Sequence, residues 1–95
     1  MTIQSPPSGF VAPVKRSVTI AGHETSVSLE PVFWEALERA ARARALPLSA
    51  VVAGIDALRV GQSDPPNLAS ALRTWLFHEI VRTTRISVDN ENDSQ

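Results

Sequence analysis

The sequence predicts a small α+β domain that is mainly helical, with one or two short N-terminal strands, two helices and an additional C-terminal helix. Two observations support this class. Alternating stretches with β-branched residues come first, at residues 15–20 and 24–29. Three stretches with apolar residues every three or four positions follow, at residues 31–44, 48–59 and 68–84. A chain of 95 residues has room for one such domain.

The two ends of the chain differ in composition from its middle. Residues 1–13 contain three prolines, two serines and a glycine, and the last ten residues contain three acidic residues and no basic one. Segments of this kind bury too little apolar surface to offset the entropy of ordering them. We therefore predict a flexible arm at residues 1–13, a folded domain at residues 14–83 and an acidic disordered tail at residues 84–95.

A short segment containing Gly22 separates the two alternating stretches, and glycine there can take a positive φ angle. Either the two stretches form a hairpin, or only the second is a true strand. Successive side chains of a strand point to opposite faces, so the second stretch has an apolar face and a polar face. The apolar face consists of Thr25, Val27 and Leu29. The polar face consists of Glu24, Ser26 and Ser28.

Proline and asparagine mark the helix boundaries. Pro31 suits the first position of the first helix, where a missing N–H costs nothing. Pro47 ends that helix and opens the second. Asn67 is placed to cap a third helix that runs from Leu68 to about Val81.

A lone strand has two edges whose backbone groups lack hydrogen-bond partners. The equivalent strand of a second copy of the chain can pair with one of these edges across a two-fold axis. We therefore expect an intertwined homodimer, in which the third helix packs on the core or extends the interface into a tetramer. The residues predicted to form the dimer core are Val27, Leu29, Trp34, Leu37, Val51, Ile55 and Leu58. The polar faces would form an antiparallel two-stranded ribbon, and a ribbon of that width fits the DNA major groove.

From Lys15 to Leu58 the sequence resembles a ribbon-helix-helix domain of the Arc/MetJ superfamily. The segment VKRSVTIAGHETSVSLEPVFWEAL, residues 14–37, is similar to a bacterial subfamily that also carries N-L-x-S-A-L-R, matched by residues 67–73. The resemblance covers roughly residues 14–80. It implies a homodimer that binds double-stranded DNA through the ribbon and regulates transcription.

The resemblance also implies roles for single residues. The base readers would be Ser26 and Ser28, with Glu24 as the third. A DNA phosphate would bind the backbone N–H groups at the start of the second helix, and nearby basic side chains would add charge. These phosphate contacts are Lys15, Arg16, Leu48, Ser49 and Ala50.

Two positions depart from the family pattern. Glu24 stands where a basic residue is usual, and a carboxylate repels phosphate and accepts only from donors such as cytosine N4. Pro47 stands where a helix-capping serine is common, and Ser49 is close enough to compensate in part. An alternative function therefore stays open: a dimeric protein-interaction module or antitoxin-like protein that binds a protein partner, with weak or no DNA binding.

The composition and motifs of the sequence argue against an enzyme, a metal or cofactor protein and a membrane protein. The net charge is −1, but residues 15–85 hold nine basic and seven acidic side chains, so the body is mildly basic. There is no cysteine, the two histidines lie on different predicted elements, and no phosphate-binding glycine motif occurs, so we expect no enzyme, metal or cofactor. No apolar run approaches the roughly 18 residues of a membrane span, and the N-terminus lacks a signal-peptide pattern. We expect a cytoplasmic protein that does not bind membranes.

Overall fold

The computed structural model describes the backbone of residues 2–93 and the side chains of residues 2–84. Two strands are followed by three helices, which confirms the predicted mainly helical α+β class. The elements are β1 (Val14–Ile20), β2 (His23–Leu29), α1 (Pro31–Ala43), α2 (Leu48–Val60) and α3 (Leu68–Asp93). None of the helices within the described residues is long and apolar enough to span a membrane.

Strands β1 and β2 form an antiparallel hairpin, so the first of the two alternatives is the right one. Ile20 pairs with His23, which leaves a two-residue turn. Its residues have positive φ angles, 51° at Ala21 and 83° at Gly22, as a type I′ turn requires at both positions. This turn matches the right-handed twist of the strands and therefore fixes their register.

The hairpin changes the argument for a dimer. From the sequence we expected the second strand to pair with a strand of another copy, whereas β1 of the same chain occupies one edge of β2. Pairing through a two-residue turn is local and avoids the entropy that association of two chains costs. The other edge of β2 has no strand partner within the described residues, so the hairpin by itself neither requires nor excludes pairing with a second copy.

The core lies between the inner face of the hairpin and the three helices. Its buried members are Val18, Val27, Leu29, Trp34, Leu37, Ala41, Val51, Val52, Ile55, Leu72 and Leu76. Six of the seven residues predicted for the dimer core are thus already buried within one chain. The exception is Leu58, which is 68% exposed, because the buried residues of α2 are Val51, Val52 and Ile55 and the buried stripe does not continue to its last turn.

Helix α1 begins at Pro31, as predicted, but Pro47 does not end it. The helix stops at Ala43 in a Schellman motif, with Ala45 in the left-handed region at φ 54°. The N–H of Leu46 donates to the carbonyl of Ala41 at 2.9 Å, and the N–H of Ala45 donates to the carbonyl of Arg42 at 3.1 Å. These bonds satisfy the terminal carbonyls before the chain reaches the proline.

Helix α3 begins as predicted and ends later than predicted. The side chain of Asn67 caps it by accepting a 2.8 Å hydrogen bond from the N–H of Ser70. The helical backbone continues past Val81 to Asp93, so it includes residues 84–93 of the segment predicted to be a disordered tail. Each residue added to an existing helix forms one more backbone hydrogen bond, which favours such extension. The remaining tail residues, 94–95, and the acidic side chains of the tail lie outside the described part. The predicted arm holds no helix or strand between residues 2 and 13.

Candidate nucleic-acid interface

The face of the hairpin that points away from the helices, here called the outer face, is polar. Side chains of a strand alternate, so each strand contributes every second residue. The outer face consists of Lys15, Ser17 and Thr19 from β1 and Glu24, Ser26 and Ser28 from β2. Five of the six are exposed and Ser28 is half-buried.

The strand register sets which outer-face side chains are neighbours. Ser17 lies directly opposite Ser26, Lys15 opposite Ser28, and Thr19 opposite Glu24. Directly opposite Cβ atoms on one face are about 4.5–5.5 Å apart, which holds here for Ser17 and Ser26. Thr19 and Ser28 each lie two residues further along their strands, so the four hydroxyl groups form a diagonal row across the outer face, here called the hydroxyl cluster. Each hydroxyl can both donate and accept a hydrogen bond. Within the described residues these four side chains make no hydrogen bond, so the cluster is available to an outside ligand.

All three predicted base readers lie on the outer face. Ser17 and Thr19 lie there as well, and neither was predicted from the sequence to contact DNA. The signal that could have identified them was present, because residues 15–20 alternate in the same way as residues 24–29. If the hairpin had been preferred to the single strand, both residues would have been predicted to lie on the outer face.

The two basic residues predicted to contact phosphate point to opposite sides of the sheet. Lys15 is exposed on the outer face, whereas Arg16 is on the inner side, where it packs against α1. The Nη1 atom of Arg16 lies 3.0 Å from Oε1 of Glu38, and its guanidinium lies 4.6 Å from the ring centroid of Trp34. Successive side chains of a strand point to opposite faces, so Arg16 contacts α1 and does not contribute its charge to the outer face beside Lys15.

The first turn of α2 is the other predicted contact site. Pro47 is the N-cap residue, and no side chain caps this helix, so Ser49 does not compensate for the missing serine. The N–H of Ala50 already donates to the carbonyl of Pro47 at 3.0 Å. The N–H groups of Leu48 and Ser49, at the first two positions of the helix, have no acceptor within the helix. They are the donors that this helix terminus offers to an anion, and α2 itself packs against β1.

Ion pairs neutralise much of the positive charge elsewhere on the surface. Five arginines bond to carboxylates at 2.6–3.0 Å; they are Arg16, Arg44, Arg59, Arg73 and Arg82. Within the part whose side chains are described, Lys15, Arg39 and Arg42 make no such pair. Lys15 is the one basic residue of the outer face, and Glu24, the one acidic residue of that face, lies at its other end.

Two acidic residues with lowered pKa values lie away from the outer face. The backbone N–H of Glu30 itself and then the Arg73 guanidinium hold the pKa of Glu30 below its ordinary value of 4.5. Hydrogen bonds from Arg44 and then Arg82 lower the pKa of Glu79 against the opposing effect of burial. Glu30 pairs with Arg73 of α3 from the junction of β2 and α1, and Glu79 of α3 pairs with Arg44 and Arg82, so the role of both carboxylates is structural.

A two-stranded ribbon with a polar outer face, followed by two short helices, defines a class of small regulatory DNA-binding domains. The ribbon-helix-helix domain family matches residues 13–80, which is more than half of the chain, and the chain belongs to that family. Domains of this family generally bind DNA and regulate transcription, and they are not enzymes. No curated protein and no solved structure gives a significant match to the chain.

Proposed function

We propose that this protein binds double-stranded DNA sequence-specifically and regulates transcription as a homodimer, with the outer face of its ribbon in the major groove. The observation that carries the proposal is the hydroxyl cluster on the outer face. Short hydroxyl side chains can donate to or accept from base edges, and a two-stranded ribbon is narrow enough to bring them there. Family membership makes DNA the expected ligand for such a surface.

Phosphate contacts would hold the ribbon in register. Lys15 supplies a charge at the open end of the hairpin, and the free N–H groups of Leu48 and Ser49 supply a second anchor. Contacts of this kind are the same on every sequence. Replacing Lys15 with alanine should therefore weaken binding equally on all duplexes and lower the slope of log K against log salt by about 1.

Glu24 limits the affinity but is compatible with base reading. Its carboxylate lies at the turn end of the outer face, opposite Thr19, and it makes no ion pair within the described residues. In the groove it would repel phosphates and accept from the amino group of cytosine. We expect moderate affinity with a preference for cytosine at the contacted position.

The homodimer is supported by the surface of α2. Leu58 lines a shallow cleft of about 360 Å³ together with Leu46, Gly54 and Trp75. A Cβ atom added at Gly54 would meet nothing within 4 Å, so the chain itself gives no reason for this helix-weakening residue. A helix of a second copy that packs in this cleft would cover Leu58 and use the space at Gly54.

Light scattering tests the dimer with a matched pair of variants. Leu58→Ser removes an apolar side chain from the cleft, and Val32→Ser removes a similarly exposed one, 64% against 68%, from α1. We expect the first variant to shift the mass toward that of a monomer and the second to leave it unchanged. Equal masses for both variants and the wild type would show that the cleft is not the interface.

The DNA proposal is tested by fluorescence anisotropy with a duplex covering the protein's own promoter and a scrambled duplex, at low and physiological salt. A promoter affinity higher by roughly 10³-fold would support it. Ser26→Ala/Ser28→Ala should reduce this ratio while leaving the fold and the mass unchanged. Selection from a random duplex library completes the test, because a protein that enriches no sequence is not sequence-specific.

A second candidate function is favoured by one observation on α3. Phe77, Ile80 and Val81 are exposed and, with Phe33, line an open groove of about 680 Å³. An apolar surface of this kind fits a protein partner, as in an interaction module or an antitoxin. Failure of the library selection, combined with an intact dimer, would favour this function over DNA binding.

A further inference from the structure

We propose that β1 binds the DNA phosphates at the rims of the major groove through Ser17 and Thr19, while β2 strands of two copies of the chain together form the base-reading ribbon. This inference rests on the proposed function, because it divides the outer face of the same homodimer into a base-reading strand and a phosphate-binding strand. It adds two hydroxyl ligands to the phosphate contact of Lys15.

The hydrogen-bond pattern of the hairpin leaves one edge of β2 unpaired. The residues that flank a two-residue turn form a hydrogen-bonded pair, and such pairs alternate with non-hydrogen-bonded pairs along an antiparallel ladder. From Ile20 and His23 onward, the backbone N–H and C=O groups of every second β2 residue therefore point toward β1. The others, those of Glu24, Ser26 and Ser28, point to the free edge and make no backbone hydrogen bond within the described residues.

Strand β1 has more features of an edge strand than β2. Native sheets protect their edges with charged side chains, including charged side chains that point inward. Lys15 and Arg16 are adjacent on β1, and the inner side of this strand also carries Val14, which is 44% exposed. On the inner side of β2, Val27 and Leu29 are buried and belong to the core. In a sheet enlarged by a second copy, β2 is therefore the central strand.

A second copy of β2 can pair along this free edge about a two-fold axis. The register that uses all the free backbone groups places Ser26 opposite Ser26 of the second copy, and Glu24 opposite Ser28 of the second copy. All three edge residues then form hydrogen-bonded pairs, which gives about six hydrogen bonds between the copies. Side chains directly opposite each other share a face, so the outer faces of the two hairpins become continuous.

The width of the major groove separates the roles of the two strands. Neighbouring strands lie about 4.8 Å apart, so the two β2 strands lie about 2.4 Å from the two-fold axis and the two β1 strands about 7.2 Å from it. The major groove is about 12 Å wide, so its walls lie about 6 Å from its centre. With the axis at the centre of the groove, β2 faces base edges and β1 lies over the phosphates of either wall.

The outer-face side chains of β1 are suited to binding phosphate. Ser17 and Thr19 are exposed, and their hydroxyls, which make no hydrogen bond within the described residues, can donate to phosphate oxygens. The ammonium group of Lys15 lies on the same face and supplies the charge. Helix α2 packs against β1, and α3 packs against β2. The helix whose first N–H groups are offered to an anion is thus on the β1 side of the sheet, where this arrangement places the phosphates.

Two proline substitutions test which strand joins the copies. Proline has no N–H, and the N–H groups of Ser17 and Ser26 both point away from the hairpin ladder, toward the free edges of β1 and β2. We expect Ser26→Pro to shift the mass measured by light scattering toward that of a monomer. Ser17→Pro is the matched control and should leave the mass unchanged. Equal masses for the two variants, or a loss of the dimer in Ser17→Pro alone, would overturn the proposed pairing.

Alanine substitutions test what each strand contacts, on a duplex selected by the wild-type protein from a random library and on a scrambled duplex. Ser17→Ala/Thr19→Ala should weaken binding roughly tenfold on both duplexes, because it removes hydrogen bonds to phosphates that every sequence offers. Ser26→Ala/Ser28→Ala should lower the ratio of the two affinities, whereas Ser63→Ala, which alters an exposed hydroxyl elsewhere, should change neither affinity.

The outcomes separate this inference from the proposed function. If the β1 variant lowers the affinity ratio, or leaves both affinities unchanged, β1 is not the phosphate-binding strand and the inference is wrong, while the proposed function stands. If the wild type enriches no sequence, both are wrong. The circular dichroism spectra of all variants should match that of the wild type, which shows that the losses do not come from unfolding.

Discussion

Glu30, at the junction of β2 and α1, accepts two hydrogen bonds from Arg73 on α3, at 3.0 Å from Nε and 2.9 Å from Nη2. The guanidinium of Arg73 also lies 5.7 Å from the ring centroid of Phe33. One side chain thus connects the third helix to the point where the hairpin enters the helical part.

Replacing Arg73 with lysine should lower the denaturation midpoint of the protein. A lysine keeps the charge, but its ammonium cannot form the two-pronged contact with Glu30 or cover the aromatic ring in the same way. Urea unfolding at fixed protein concentration measures the change. Arg42→Lys is the control, because Arg42 forms no ion pair within the described residues. Equal midpoints for R73K and the wild type would contradict this structural role.

Glu79 should contribute to stability in a pH-dependent manner. Its carboxylate accepts hydrogen bonds from Arg44 at 2.6 Å and Arg82 at 2.7 Å, and its pKa is lower in the folded protein than the ordinary 4.5. The stabilisation is therefore complete above about pH 4.5 and is lost as the pH falls through the folded pKa.

The variant Glu79→Gln should accordingly be less stable than the wild type at pH 7, by no more than about 1 kcal/mol because the pair is partly solvent-screened. Below pH 4.5 the stability difference between the variant and the wild type should become smaller. Midpoints of urea unfolding of both proteins at pH 7, 5 and 3.5 measure this difference. If the stability difference between Glu79→Gln and the wild type stays constant with pH, the charge of Glu79 does not stabilise the folded protein.

Replacing Ala45 with glycine should stabilise the protein by about 0.5–1 kcal/mol. Ala45 has a φ of 54°, where a Cβ atom costs about 1–2 kcal/mol, and the greater freedom of glycine in the unfolded chain offsets part of the gain. Ala57→Gly, at an exposed position inside α2, should instead destabilise by about 1 kcal/mol. Destabilisation by both substitutions would refute the strain assigned to Ala45.

Replacing Trp34 with phenylalanine should destabilise by about 1–3 kcal/mol. The variant loses the hydrogen bond to the carbonyl of Val14 and part of a buried ring. Because that bond anchors β1, amide exchange should accelerate more in β1 than in α3. Uniform acceleration over the whole chain would mean that the bond does not hold the strand specifically.

Replacing Glu24 with lysine should raise DNA affinity severalfold at low salt and increase the salt slope. The variant removes a repelling carboxylate from the outer face and adds a phosphate contact. Glu35→Lys changes the net charge equally at an exposed site on α1, so it separates a local effect from a general one. The same gain in both variants would place Glu24 outside the interface.

The sequence predicted all three helix starts because their signals are local. Pro31 and Asn67 act on the turn that follows them, and both begin their helices as expected. The left-handed conformation of Ala45 had no such signal, since alanine rarely adopts it. The end of α1 was therefore attributed to the proline that follows.

Relations between distant segments were harder to predict. The pairing of β1 with β2 depends on a turn with positive φ at Ala21, a residue that does not usually occupy it. The separation of Lys15 from Arg16 follows from that pairing, and so does the presence of Ser17 and Thr19 on the outer face. The exposure of Leu58 depends on how far α2 is covered, which periodicity alone does not determine.

The two strands of the hairpin match in their hydroxyls and differ at their ends, where Lys15 and Glu24 hold equivalent positions with opposite charges. The outer face therefore has a positive end and a negative end, and the proposed homodimer would place two copies of this polarity about its two-fold axis. The potential along the contacted DNA would then be symmetric, so the operator should be a palindrome.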